Sequence, residues 1–171
     1  YTMKYGYVVR VLRGVYYVKT IEEFKLRKSV NPLKVLTLGM NRLNVKWYFG
    51  LYTALRLNGL THEYYDVIFV LNDTIYRPKL IKVAGEKVKF VKIKPNLIDF
   101  GIVKRNGFIY SDLEKTILDF IYLSRYGKIS KYTVKELIIE FGNIVDKEKI
   151  ARYAKQYPKT VMRVLADEGL L

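Results

Sequence analysis

The chain has 171 residues, half of them apolar, and a formal net charge of +15. That length and apolar content support one domain with a sizeable core, and they exclude a disordered chain. The absence of cysteine and the presence of one histidine, His62, exclude disulfides, thiolate metal sites and a thiol nucleophile, and argue against a Ser-His-Asp triad or a histidine-rich metal centre.

No apolar run reaches the ~18 residues that a membrane span needs, and no signal peptide is recognisable. The expectation is a cytoplasmic protein without a membrane partner. The charge is uneven along the chain. Residues 1–19 carry an excess of +4, 20–73 of +2, 74–106 of +7, and 107–171 of +2. The two richest segments both read as β-ribbon. Concentrated positive charge on such ribbons is the electrostatic footprint of a nucleic-acid binder. A solvated lysine-rich surface is the plainer explanation.

Residues 5–19 are rich in Val and Tyr, and Arg13-Gly14 predicts a hairpin of about 7–12 and 15–19. Thr20 and Glu23 form a capping-box pattern that opens a helix to about Lys28. Asn31-Pro32 breaks it and starts a second helix, closed by Gly39. Residues 44–61 are the most apolar amphipathic stretch. Trp47, Leu51, Leu55 and Asn58 recur at helical spacing, so one helix from Asn44 to Gly59 is predicted. Gly50 inside it suggests close approach by another backbone.

Residues 66–72 predict a strand buried on both faces. Residues 80–84 and 87–94 predict two more, joined at Gly85. Lys87, Lys89, Lys92 and Lys94 share one face only if a β-bulge or bend lies near Val91. Asn106-Gly107 predicts a type I′ hairpin with Lys104 and Arg105 at its tip. Ser111 and Glu114 read as a second capping box, opening a helix to about Ser124 with Ile117, Phe120 and Ile121 inward. Asp112, Glu114 and Asp119 are explained there by capping and solvation. Three further helices follow: 133–141, capped by Ser130 or Tyr132 and closed by Gly142; 147–157, capped by Asp146; and 159–168.

The predicted class is α+β: an N-terminal hairpin, helices, a small mixed or antiparallel sheet and a C-terminal helical bundle. Residues 1–19 form a hairpin unit. Residues 20–171 form an α+β domain, with its sheet at about 66–110 and helices from about 111.

Three stretches carry a family likeness. Tyr48, Gly50, Thr53, Ala54, Leu55, Asn58, Gly59, Leu60 and Thr61 match an aromatic-Gly helix ending in a Gly-Leu-Thr turn. Arg13-Gly14-Val15-Tyr16 is similar to the end of a winged-helix wing. Residues 111–119, SDLEKTILD, are similar to a following helix. In order and spacing they resemble the AbiEi-type antitoxins, predicted transcriptional regulators of phage-defence toxin–antitoxin pairs. The likeness implies a winged-helix remnant at 1–19 and, for most of the chain, the family's second domain. The recognition helix expected upstream of the wing is not in this sequence, so direct base readout is not expected from it. The likeness also implies double-stranded DNA and a nucleotidyltransferase-like toxin as partners, with the chain a monomer or dimer.

On this reading Arg10, Arg13 and Lys19 are wing contacts, and Lys87, Lys89, Lys92, Lys94, Lys104 and Arg105 track phosphates. No cofactor, metal or catalytic residue is assigned. Glu86-Lys87-Val88 lacks the lysine of a Glu-x-Lys nuclease pair, and Glu23-Phe24-Lys25 has the spacing but sits at a helix start, so a metal-dependent nuclease is the weakest reading. The second reading is a protein-interaction module whose basic face meets an acidic partner without nucleic acid.

Overall fold

The computed structural model describes residues 3–171; Tyr1 and Thr2, the first residues of the expected hairpin unit, lie outside it. The order of elements is β1 (Val8–Leu12), β2 (Val15–Val18), α1 (Ile21–Lys25), α2 (Pro32–Asn41), β3 (Trp47–Phe49), α3 (Leu51–Leu57), β4 (Val67–Asn72), β5 (Ile81–Val83), β6 (Glu86–Lys92), β7 (Ile102–Arg105), β8 (Phe108–Ser111), α4 (Leu113–Ser124), α5 (Lys131–Phe141), α6 (Lys147–Ala154) and α7 (Lys159–Asp167). The class is α+β, with the N-terminal hairpin and C-terminal helices in place. The main sheet is larger than expected: six strands in the order β5-β6-β4-β3-β8-β7, with β4/β6 and β3/β8 parallel and the other neighbours antiparallel.

Both faces of the sheet are covered, which is why β4 reads as a continuous apolar run. On one face Trp47, Phe49, Val70 and Phe90 pack with Val35, Leu36 and Met40 of α2 and with Val11 and Leu12 of the hairpin. On the other, Tyr48, Leu71 and Val91 pack with Leu55 of α3 and Ile117, Phe120 and Ile121 of α4, behind which α5–α7 close the core. The hairpin therefore shares a core with the sheet instead of standing free.

The predicted helix from Asn44 begins only at Leu51. Trp47, Tyr48 and Phe49 are a strand, antiparallel to β4 and parallel to β8. In that form Trp47 and Phe49 enter one core and Tyr48 the other, which a helix cannot arrange. Gly50 is an extended N-cap, φ −126°. A Cβ there would come within 2.7 Å of the buried Leu71 side chain, so the close approach is by a side chain of β4 and not by a backbone. The far end follows expectation: Gly59 (φ 71°) closes α3, with the Leu60 N–H donating to Leu55 O at 3.0 Å.

Gly39 does not close α2, which runs on to Asn41. It is buried against the hairpin, and a Cβ on it would meet Val11 Cγ1 at 2.7 Å. The Thr20–Glu23 capping box forms as predicted, with both hydrogen bonds made, although α1 ends at Lys25. At α4 the N-cap is Asp112, whose side chain accepts from Lys115 N–H at 2.9 Å, and not Ser111.

The bulge lies elsewhere than expected. β6 pairs with β4 without interruption from Lys87 to Lys92, so there is no bulge near Val91. The lysines divide instead: Lys87 and Lys89 share a face with Val91, Lys92 the opposite one. Lys87 and Lys92 are exposed and Lys89 is half-buried, so none of the three ammonium groups is sealed in the core. The register shift falls in the hairpin, between Arg10 and Leu12. The extra residue turns both Val11 and Leu12 inward and leaves Arg10 and Arg13 exposed on either side.

Candidate nucleic-acid interface

The bulged hairpin packs beside β5, and this seam forms a depression of about 340 Å³. It is lined by Arg10, Arg13, Arg77 and Lys82 around Val11, Leu12 and Ile81. Arg77, in the β4–β5 loop, also lines a second depression of about 300 Å³. There Lys89 of β6 and Lys128 of the α4–α5 loop join it over a floor of Leu51, Phe69, Val91, Leu123 and Ile129. Lys128 in turn lines a third, of about 380 Å³, with Lys92, Lys94, Tyr122 and Tyr126. The shared residues, Arg77 on one side and Leu123 and Lys128 on the other, join the three into one track.

Among the described residues eight cations line that track, and no carboxylate does. Lys89 donates to the Pro78 carbonyl, which fixes its ammonium beside the β4–β5 loop. Among the described residues none of the eight is ion-paired to an acid; the paired lysines are Lys34, Lys46, Lys87, Lys115 and Lys149. Unneutralised cations along a concave apolar floor focus a positive field that a polyanion would feel.

Five of the nine residues proposed from sequence meet here: Arg10, Arg13, Lys89, Lys92 and Lys94. The other four do not. Lys87 is paired with Asp66 at 2.5 Å, and the Asp66 hydrogen bond and charge raise its pKa. Lys19 sits at the base of the hairpin, its N–H bonded to Tyr7 O, at the opposite end from the Arg13 turn. Lys104 and Arg105 do lead into a left-handed turn as predicted, with φ 53° at Asn106 and 79° at Gly107. That turn, however, belongs to β7 at the far edge of the sheet from β5. At ~4.8 Å per strand the two edges are roughly 24 Å apart. Arg77, Lys82 and Lys128 went unassigned. The +7 excess of 74–106 pointed towards the first two. Lys128 carried no signal, because only the approach of the end of α4 to β6 brings it in.

A second polar cluster lies at the centre of the molecule, and it revises the reading of α4. Lys115 and Asp119 are fully buried and paired at 2.6 Å. The Lys115 ammonium also donates to the Tyr48 hydroxyl (2.9 Å) and the Tyr157 hydroxyl (2.6 Å). Both hydroxyls donate to Asp119, at 2.7 and 2.6 Å. Each of the three ammonium hydrogens has an acceptor, and the carboxylate has three donors, so the buried charges are satisfied. At the solvent edge Lys149 bridges Asp112 (3.0 Å) and Glu114 (2.8 Å), and Glu114 accepts from Asp146 N–H. Asp119 is therefore a core residue and not a solvated one. The 111–119 motif and Tyr48, two parts of the family likeness, meet at this one knot. None of the three depressions reaches it, so it ties α4 to β3 and to the end of α6 without facing a ligand.

Burial, reinforced by the Asp119 charge, pushes the Tyr48 and Tyr157 hydroxyls well above the ordinary tyrosine range. Burial pulls Lys115 below the ordinary lysine value, against the opposing pull of Asp119. Unfolded tyrosines lose their protons near pH ~10 while the folded ones keep theirs, so the folded state binds more protons there and stability falls as pH rises. Lys115 acts in the opposite sense until about pH 10.4, where the unfolded lysine also titrates. Above that, the two tyrosines are expected to make stability fall steeply with pH, by roughly one proton's linkage each. Urea midpoints at pH 8, 10 and 11 check this: a steep drop between the last two is expected, and a level limb contradicts a sealed knot.

No protein-family model matches the chain, and no curated protein is significantly similar to it. The site therefore has to be judged on its own chemistry. Among the described residues, no group of three or more His, Cys, Asp or Glu side chains is placed to hold a metal ion, and no helix is long and apolar enough to cross a membrane.

Proposed function

We propose that this chain is a DNA-binding module of a transcriptional regulator resembling the AbiEi-type antitoxins, and that it holds duplex phosphates along the cationic track. The observation that supports this best is the run of eight cations, without a carboxylate, through three adjoining depressions. Phosphate contacts of this kind set position and affinity, while sequence is read by groups that reach base edges. Specific recognition would belong to a helix-turn-helix partner or domain. In this reading Arg10 and Arg13 keep the wing role, and Arg77, Lys82 and Lys128 join them in place of Lys19, Lys104 and Arg105.

The antitoxin half of the reading needs a protein-binding face elsewhere. Ile139, 78% exposed, lines a depression with Gly142 and Leu170 at the α5–α7 end, and Ile144 in the following loop is 59% exposed. That face, remote in sequence from the basic segments, is the one we assign to a nucleotidyltransferase-like toxin. A mobility-shift titration with a short duplex tests the DNA half. A retarded complex at low salt is expected, and free duplex at every protein concentration would overturn it.

A further inference from the structure

The middle depression does more than a phosphate rail requires. A rail for duplex DNA needs exposed cations and nothing beneath them. Here Phe69, Val91, Leu123 and Ile129 line an apolar cavity of about 300 Å³, with Arg77, Lys89 and Lys128 at its rim. That is the lower end of the ~300–1,000 Å³ typical of ligand pockets, enough for one planar group. Tyr76 stands at its edge, 62% exposed. Tyr126, 54% exposed, stands in the adjoining depression, edge-on to Tyr122 at 5.3 Å. Exposed aromatic rings set among cations suit the stacking of unpaired bases.

Leu51 adds an independent observation. It lines the cavity with φ 53°, a left-handed backbone that is strained for a non-glycine residue. Such conformations gather at functional sites. Glycine would relieve the backbone but would remove a side chain from the floor of the cavity and from the core beneath it.

We propose that this cavity receives one unpaired nucleotide of a DNA strand, base inward, with the flanking phosphates on Arg77, Lys89 and Lys128. The proposal rests on the reading of the track as a DNA-binding surface and deepens it. The natural ligand is then a duplex interrupted by a bulge, flap or flipped base. A polymer fits better than a free nucleotide because cations continue in both directions: Arg10, Arg13 and Lys82 one way, Lys92 and Lys94 the other. Unstacking costs least where a base is already unpaired, which makes the pocket selective for such sites.

The test uses the whole chain and fluorescence anisotropy on four probes: a perfect duplex, the same duplex with one bulged 2-aminopurine, the single strand alone, and 2-aminopurine nucleoside monophosphate. The bulged duplex is expected to bind about tenfold more tightly than the perfect one, the gain from one base–aromatic stack. Its 2-aminopurine emission is expected to change on binding, and Tyr76→Ala to lower the bulged-to-perfect ratio. Equal affinity for bulged and perfect duplex with unchanged emission would overturn the pocket and leave the duplex reading standing. Binding of bulged duplex and single strand without any binding of perfect duplex would overturn the duplex reading and keep the pocket. A monophosphate that binds as tightly as the bulged duplex would overturn the polymer in favour of a small ligand. No binding of any probe would end both.

Discussion

Asp119→Ala is expected to lower folding stability by about 3–5 kcal/mol, read as a drop in the urea midpoint. The substitution removes the carboxylate that is hydrogen-bonded to Lys115 in a fully buried site, and it takes an acceptor from two tyrosine hydroxyls at once. An unpaired ammonium in that position must either lose its proton or draw water into the core. Against a typical total of ~5–15 kcal/mol, this one change would leave many molecules unfolded at 37 °C. The result depends on the charge and not on the volume alone. Replacing the whole knot by apolar residues, with Lys115→Met, Asp119→Leu, Tyr48→Phe and Tyr157→Phe together, is expected to recover most of the loss, since no charge is then stranded. If Asp119→Ala cost less than about 1 kcal/mol, the range of an exposed pair, the cluster would have to be open to solvent.

The second large effect is on binding. Arg77→Ala with Lys128→Ala removes the two cations shared between adjoining depressions. Both are exposed and no acid pairs with them, so the fold does not depend on their charge. Each lost phosphate contact makes the salt slope shallower by about 1. The double variant is therefore expected to bind a short duplex at least about tenfold more weakly than the parent in low salt, and to lose about 2 from the slope. The matched control is Lys104→Ala with Arg105→Ala, which removes the same charge at the far edge of the sheet. Its effect is expected to stay within about twofold, the residue of a general field screened over a ~10 Å Debye length. Equal losses from both pairs would mean that binding follows net charge and that the track has no special place.

Much of the fold follows from local signals that the tertiary structure does not override. The Thr20–Glu23 box, Asn106-Gly107, Gly59 as a helix stop and the caps at Ser130 and Asp146 all form where the sequence puts them. The failures occur where one residue type serves two periodicities. Trp47-Tyr48-Phe49 fits a helical stripe, yet three aromatic residues also favour a strand. Pairing with β4 and β8 decides it, and neither strand is adjacent in sequence. Lysine spacing on β6 points to a bulge because buried lysine is the cost a sheet must avoid. The sheet avoids it without a bulge: Lys87 is exposed and paired with Asp66, and Lys89 donates to the Pro78 carbonyl at the rim of a depression.

The same limit applies to the site. Arg10 and Arg13 are legible because they flank a hairpin turn, but their inclusion in a track with Lys128 depends on β5, the β4–β5 loop and the end of α4 converging. Asp119 reads as solvated because α4 is apolar on most sides. A carboxylate four residues after a lysine in such a helix (the i,i+4 spacing of an ion pair) was the available hint that both are inside.

The central claim is that duplex phosphates displace counterions along this track. The most direct measurement is the salt dependence of binding to a short duplex of unrelated sequence. If about six of the eight cations contact phosphates, log K is expected to fall with log salt at a slope near −5, about a thousandfold between 50 and 200 mM. A slope near zero, or no binding even at 50 mM salt, would contradict the account.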